Sequence, residues 1–230
     1  MARPLHLVLL GQGKTGSIVA EVAGERGHRT TILTEIENAG GCWLTPDNLR
    51  DADALIDFTT PDAVLANISR CIAAKTPMVV GTTGWYDELD RIRQEVERSG
   101  VGFVFGANFS YGVNLFFQIA RAAASALQHG YAGHITEKHH IHKKDAPSGT
   151  AMALQRVVAQ ASGVQAEITS EREGDVVGIH TLELSSAGDR IVLSHEVKSR
   201  RTFAEGAVLA AEWIVGKTGF YDFKDIYSQL

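Results

Sequence analysis

Apolar and polar positions follow two different rhythms along this chain. In the first half, short apolar runs alternate with stretches whose apolar residues recur at helical spacing. Leu5–Leu10 is almost continuously apolar, with His6 its only polar member. Ile18, Val19, Val22 and Ala23 then mark one helix face, and Gly27 closes that helix. Thr30–Leu33 predicts a second strand, ending near Glu35. Ala54–Phe58, Pro77–Val80 and Val101–Phe105 predict three more. Pro61 suits a first helical position, and Val64, Leu65, Ile68 and Ile72 follow on one face; Leu89, Ile92 and Val96 mark another helix, ending near Gly100. Such alternation builds an α/β fold with a parallel sheet, whose ligands lie at the carboxyl ends of the strands.

After about residue 110 the rhythm changes. Val113–Leu127 reads as a long apolar helix, Gly133–His139 as a strand, and Thr150–Ser162 as a helix. Val164–Glu173 is polar and fits no single period. His180–Ser186 and Arg190–Lys198 alternate in polarity around Ala187-Gly188-Asp189, the pattern of an antiparallel hairpin. This block predicts a second, α+β domain with a mixed or antiparallel sheet. Ile191, Leu193 and Val197 are expected to form an exposed apolar sheet face that needs a partner or a cover. Phe203–Val215 is another apolar helix, and the tail through Phe220, Tyr221, Phe223 and Tyr227 is expected to pack back on the first domain.

Two stretches carry candidate chemistry. Gly11-Gln12-Gly13-Lys14-Thr15-Gly16 sits between the first strand and the first helix, and Glu35 follows the second strand. Strand, G-x-G-x-x-G, helix, strand and acid form a dinucleotide fingerprint. The glycines allow a tight turn and close approach to pyrophosphate, and the acid accepts hydrogen bonds from the adenine ribose. Glu35 as a plain solvated carboxylate is the competing reading. Gly81-Thr82-Thr83-Gly84 and Gly106-Ala107-Asn108-Phe109-Ser110 each follow a strand, so both are expected to face the cofactor unless they are ordinary turns.

The second stretch runs from Glu137 to Ala151 and packs His139, His140 and His142 among lysines and carboxylates. It breaks at Pro147 and starts a helix, with Ser148 or Asp145 as the cap. A helix start binds anions, and Lys143 and Lys144 lie just before it. Cations, proton donors and a helix N-terminus on one loop suit a small acid, a carboxylate, that is held and protonated. Two other readings are a metal site on the histidines and plain surface charge. Neighbouring strand residues point to opposite faces, which argues against His139 and His140 sharing one ion.

Composition narrows the class. The 230 residues suit one large or two small domains, and the hydrophobic fraction of 44% with 21% charged residues is that of an ordinary soluble protein. A net charge of -5 argues against a nucleic-acid partner, and no apolar run is long enough to span a membrane. The start does not read as a signal peptide. Cys42 and Cys71 lack metal or redox spacing, so a cytoplasmic setting is expected.

With these residues in view, the sequence resembles the dihydrodipicolinate reductase family over nearly its whole length. The stretch Glu137–Ala151 matches the family signature. Ile56-Asp57-Phe58-Thr59, Gly81–Gly84, Ala107–Asn114 and Phe203–Ala207 match as well. The resemblance implies a Rossmann domain over 1–110, completed by 203–230, and a substrate and oligomerisation domain over 111–202 that builds a homotetramer. It implies NAD(P)H-dependent reduction of 4-hydroxy-tetrahydrodipicolinate with loss of water, in lysine and diaminopimelate synthesis. His139 then protonates the substrate, and Lys143 supplies fixed positive charge and with His140 binds or orients it. Ser148, Gly149 and Thr150 hold a carboxylate, and no metal is required. The glycine loop is one residue tighter than the commoner form, with Thr15 where Met is frequent, and the chain is shorter than many members. Glu35, with no arginine at Ile36 or Glu37, is expected to favour NADH over NADPH, although Lys14 could reach a 2′-phosphate. The rival readings are a metal-dependent hydrolase or lyase using His139, His140 and His142, and a non-catalytic NAD(P)-sensing module.

Overall fold

In the computed structural model, which describes residues 3–230, ten strands follow in chain order. They are β1 (His6–Leu10), β2 (Arg29–Leu33), β3 (Ala54–Asp57), β4 (Met78–Val80), β5 (Gly102–Phe105), β6 (Ala132–His139), β7 (Glu167–Arg172), β8 (Gly178–Ser185), β9 (Arg190–Val197) and β10 (Gly219–Asp222). The α-helices are α1 (Lys14–Glu25), α2 (Pro61–Ala74), α3 (Leu89–Ser99), α4 (Tyr111–Ala123), α5 (Gly149–Ser162), α6 (Arg201–Ile214) and the short α7 (Phe223–Ile226). The chain divides into two units, residues up to Ser110 with Arg201–Leu230, and Tyr111–Arg200.

The first unit is a six-stranded parallel sheet in the order β10-β5-β4-β3-β1-β2. Successive residues of a strand face opposite sides, and both sides are covered, so the strands read as continuous apolar runs. Leu7, Leu9, Ile56 and Val104 pack with α1, α6 and α7. Val8, Leu10, Leu55 and Phe103 pack with α2 and α3. The chain leaves β1 for β2 on one side and then crosses to β3 on the other. The crevice at the carboxyl ends of β1 and β3 is therefore the switch point where such sheets bind ligands.

The returning C-terminal segment completes this unit. Arg26 makes a two-point ion pair with Glu212 on α6, both contacts 2.7 Å, and His28 Nε2 lies 2.7 Å from the same carboxylate. The aromatic tail packs back as expected, but as more than a cover. Its residues 219–222 form β10, a strand added in parallel beside β5, and Phe220 stacks on Phe103 with ring centres 5.2 Å apart. The stretch is too short, and too rich in aromatics, to show its period in the sequence.

The second unit is a four-stranded mixed sheet, β7-β6-β8-β9. One face is covered by α4 and α5, where Ile135, Leu182 and Leu184 meet Phe116, Leu154 and Val158. The stretch left without a period contains β7, which pairs in parallel with β6. The hairpin forms, and its apolar stripe is covered only in part. Leu193 and Ile191 stand opposite the buried Leu182 and Leu184; Val197 is buried and Leu193 half-buried, whereas Ile191 remains exposed. The other face is polar. Thr181 Oγ1 meets Ser194 Oγ at 2.9 Å, and Lys138 pairs with Glu171 and Glu173. The long helix expected over Val113–Leu127 starts at Tyr111 and tightens into a 3-10 segment at Ala124–His129.

Candidate active site

The site in the second unit is built on transverse rows of the sheet. Ile168, Ile135, Leu182 and Leu193 form an apolar row across the covered face. Two residues further along, Ser170, Glu137, His180 and His195 form a polar one. Beyond it, Arg172 stands beside His139. The spacing of two keeps Glu137 and His139 on one side of β6.

Glu137 is fully buried. Burial opposes its ionisation, but hydrogen bonds from Ser170, Arg172 and His139 outweigh that and hold its carboxyl below the usual range. Arg172 Nη1 donates to Glu137 Oε1 at 3.0 Å and its Nη2 donates to the Asp145 carbonyl at 2.6 Å. On its other oxygen Glu137 contacts His139 Nδ1 directly. An ionised carboxylate only accepts, so Nδ1 carries the proton and Nε2 is the nitrogen left for chemistry. Burial lowers the His139 pKa, Glu137 pulls it up, and Lys143 and Arg172 lower it further, with a net downward shift. Gly178 gives this ring its room, since a Cβ there would lie 3.0 Å from His139 Nε2.

The loop after β6 carries the other predicted residues. His140 is half-buried and His142 exposed, with ring centres 6.3 Å apart. Lys143 Nζ is paired with Asp145 Oδ1 at 2.8 Å. Ser148 is the helix cap, accepting from Ala151 N at 3.2 Å, which leaves Asp145 to the lysine. Gly149 and Thr150 open α5.

The three histidines close in sequence therefore do not form one ligand set. His139 converges instead with Glu137 and His180, all three buried, with candidate ligand atoms within 4.8 Å of one another. These are zinc-type donors. Glu137 is already neutralised by Arg172, however, and the charges of Arg172 and Lys143 both act on His139. A dication there would have to displace or oppose those cations.

The first unit holds the dinucleotide candidates. A cleft of about 840 Å³ opens between the glycine loop, Glu35, Ile36 and the start of α2, and a smaller one of about 320 Å³ lies beside Lys14, Thr15 and Thr83. Gly16 must be glycine, because a Cβ would come within 2.1 Å of the Gly11 carbonyl oxygen. A Cβ on Gly13 would meet nothing, so open space lies where pyrophosphate approaches. Helix α1 starts there with no side-chain cap and no acid in its first turn, leaving free N–H groups for an anion. Glu37 is spent on Thr34, whose N and Oγ1 donate to it at 2.9 and 2.8 Å, whereas exposed Glu35 lines the larger cleft. The residues thus suit a dinucleotide.

Gly81, Thr82 and Thr83 all line the smaller cleft, and the largely buried Thr82 also donates its hydroxyl to Asp57 at 2.7 Å. Asp57, fully buried, also accepts from Thr59 N, Thr59 Oγ1 and Asn67 Nδ2. Gly106, Ala107, Asn108 and Phe109 line neither cleft. Phe109 is a core residue, 4.6 Å from the Phe223 ring centre. Sequence reasoning passed over Glu137, Arg172 and His180 as site residues. Only Glu137 had a legible signal, its spacing of two from His139 on a predicted strand.

Both units match known proteins. Residues 5–109 match the family "Dihydrodipicolinate reductase, N-terminus", and residues 112–227 match "Dihydrodipicolinate reductase, C-terminus". The 4-hydroxy-tetrahydrodipicolinate reductase of Christiangramia forsetii is 36% identical over 98% of this chain and 99% of its own. That of Thiobacillus denitrificans is 42% identical over 77% of this chain and 74% of its own. Among solved structures, the dipicolinate-bound dihydrodipicolinate reductase from Paenisporosarcina sp. TG-14 superposes with a TM-score of 0.81 at 20% identity, covering 97% of this chain and all of that one, which is a likeness of fold.

The Glu137–His139 contact yields a prediction. In Glu137→Gln the anion that raises the His139 pKa is gone, so that pKa falls further. The expected observation, by nitrogen-detected NMR of the imidazole, is a titration displaced to lower pH and a loss of the Nδ1–H preference. An unchanged His139 titration in a folded Glu137→Gln protein refutes the assignment.

Proposed function

The chain belongs to the dihydrodipicolinate reductase family, and we propose that His139 is the proton donor with which it reduces 4-hydroxy-tetrahydrodipicolinate in lysine and diaminopimelate synthesis. The protein is an oxidoreductase of that family, with a nicotinamide dinucleotide as cofactor. The observation that carries the donor assignment is the buried Glu137–His139 contact anchored by Arg172. A bound nicotinamide supplies the hydride.

The chain's own residues do the rest. Glu137 holds the His139 proton on Nδ1, so a second proton, on Nε2, makes the imidazolium that donates. Burial disfavours that cation in the free protein, and the negative charge of a bound dicarboxylate favours it. Lys143, His140 and the Ser148-Gly149-Thr150 turn bind the carboxylates, with Lys143 exchanging its Asp145 partner for the substrate. The rival metal-dependent and sensor readings have no support in the comparisons. Among the described residues no helix is long and apolar enough to cross a membrane. Unpaired Cys42 and Cys71 accord with a cytoplasmic enzyme.

The direct test follows NADH absorbance with substrate made in situ by a coupled synthase. His139→Gln is expected to lower kcat by about 10²–10⁴-fold with little change in NADH affinity. Lys143→Ala is expected to cost about 10–100-fold, mainly in KM, and His142→Gln far less than either. A folded His139→Gln enzyme with near-normal kcat ends the proton-donor assignment.

Glu35 at the larger cleft supports a preference for NADH, because its carboxylate repels a 2′-phosphate. A kcat/KM about tenfold higher with NADPH, ~1.4 kcal/mol the other way, removes that preference.

The family resemblance supports a homotetramer formed by the second unit. Exposed Ile191 and Val192 on β9, together with the polar sheet face, are what the second unit offers for association. Sedimentation at micromolar concentration is expected to show four chains, and a monomer mass there counts against it.

A further inference from the structure

His180 comes from β8, has no role in the chemistry above, and is 3% exposed. Its Nε2 lies 3.1 Å from Ser148 Oγ, while its Nδ1 is buried with no partner. Ser148 Oγ meanwhile accepts the Ala151 N–H as the α5 cap. We infer that His180 is a positioning residue for substrate binding: it donates its Nε2 proton to Ser148 and thereby commits the Ser148 hydroxyl to donate to a substrate carboxylate. The inference rests on the dicarboxylate substrate of the reductase reading.

The argument turns on which nitrogen carries the proton. Burial first, then the neighbouring His139, His195 and Lys143, push the His180 pKa down to about 4, against the pull of Glu137. These are the titratable groups that β6, β9 and the loop bring against it. At neutral pH the ring therefore has one N–H. Placed on Nδ1, that N–H would be a buried donor with no acceptor, the rarer and costlier defect. Placed on Nε2, it reaches Ser148 and leaves only an unshared lone pair at Nδ1.

Ser148 Oγ then accepts twice, from Ala151 N and from His180 Nε2. Both lone pairs are engaged, and no acceptor on the protein takes the hydroxyl hydrogen among the described residues. What remains is a single O–H donor of fixed direction at the start of α5, beside the free N–H groups of Gly149 and Thr150. Such a donor requires an acceptor opposite it, and an ionised carboxylate, which only accepts, makes the strongest bond there.

The test uses the full chain and pyridine-2,6-dicarboxylate, titrated calorimetrically with and without NADH, alongside turnover. His180→Phe keeps a ring but no donor. It is expected to weaken the dicarboxylate about tenfold, the loss of one hydrogen bond to a charged group, and to raise KM with kcat retained. His180→Gln, whose Nε2 can take the place of the imidazole Nε2, is expected to restore most of the affinity. In a Ser148→Ala background the His180→Phe substitution is expected to cost less than about twofold, because His180 acts through that hydroxyl. The inference is overturned if His180→Phe binds as tightly as the wild type, if Gln fails to rescue a folded protein, or if the penalty persists in full without Ser148. Failure of the reductase reading looks different: the wild type binds the dicarboxylate with these dependences but does not oxidise NADH with the substrate.

Discussion

A carboxylate with no access to water organises the second unit. Glu137 stays ionised only because Arg172 neutralises it and Ser170 and His139 hydrogen-bond to it. Removing one partner from such a buried pair costs about 3–5 kcal/mol, so the members hold one another in place. The same guanidinium reaches the Asp145 carbonyl, which fixes the path of the loop carrying Lys143 and leading to Ser148. One ion pair thus sets the orientation of the His139 ring, the pairing of β7 with β6 at their functional end, and the approach to the start of α5.

Asp57 in the first unit shows the contrasting solution. It is equally buried, but its hydrogen-bond partners are two threonine hydroxyls, a backbone N–H and an asparagine amide. None of these exchanges a proton at neutral pH. Asp57 therefore joins the turns after β3 and β4 at the rim of the smaller cleft. Glu137, with a titratable imidazole against it, can alter a proton's affinity. The partner, more than the burial, separates the carboxylate that shapes a site from the one that tunes it.

Much of the architecture was legible because both faces of the parallel sheet are covered, which leaves unbroken apolar runs such as Leu7–Leu10. The polar β7 and the aromatic β10 were not, since each is held by its neighbour strand more than by its own pattern. Ile191 and Leu193 show the limit of alternation. A period of two says that two faces differ but not which one meets the helices, and here register against Leu182 and Leu184 chose. The Phe109 ring is placed by a distant partner in the same way, since Phe223 draws it into the core.

By itself the sequence determined the α/β order, the glycine loop with Glu35, and the His139–Thr150 stretch with its capped helix, because each depends on residues close in the chain. Only the tertiary structure decided that Arg172 and His180, from two other strands, would stand beside His139, that Lys143 would be paired and that Thr82 would turn inward. Those outcomes depend on strand register and on competition for buried hydrogen bonds. Both are settled between residues far apart in sequence, where spacing carries no information.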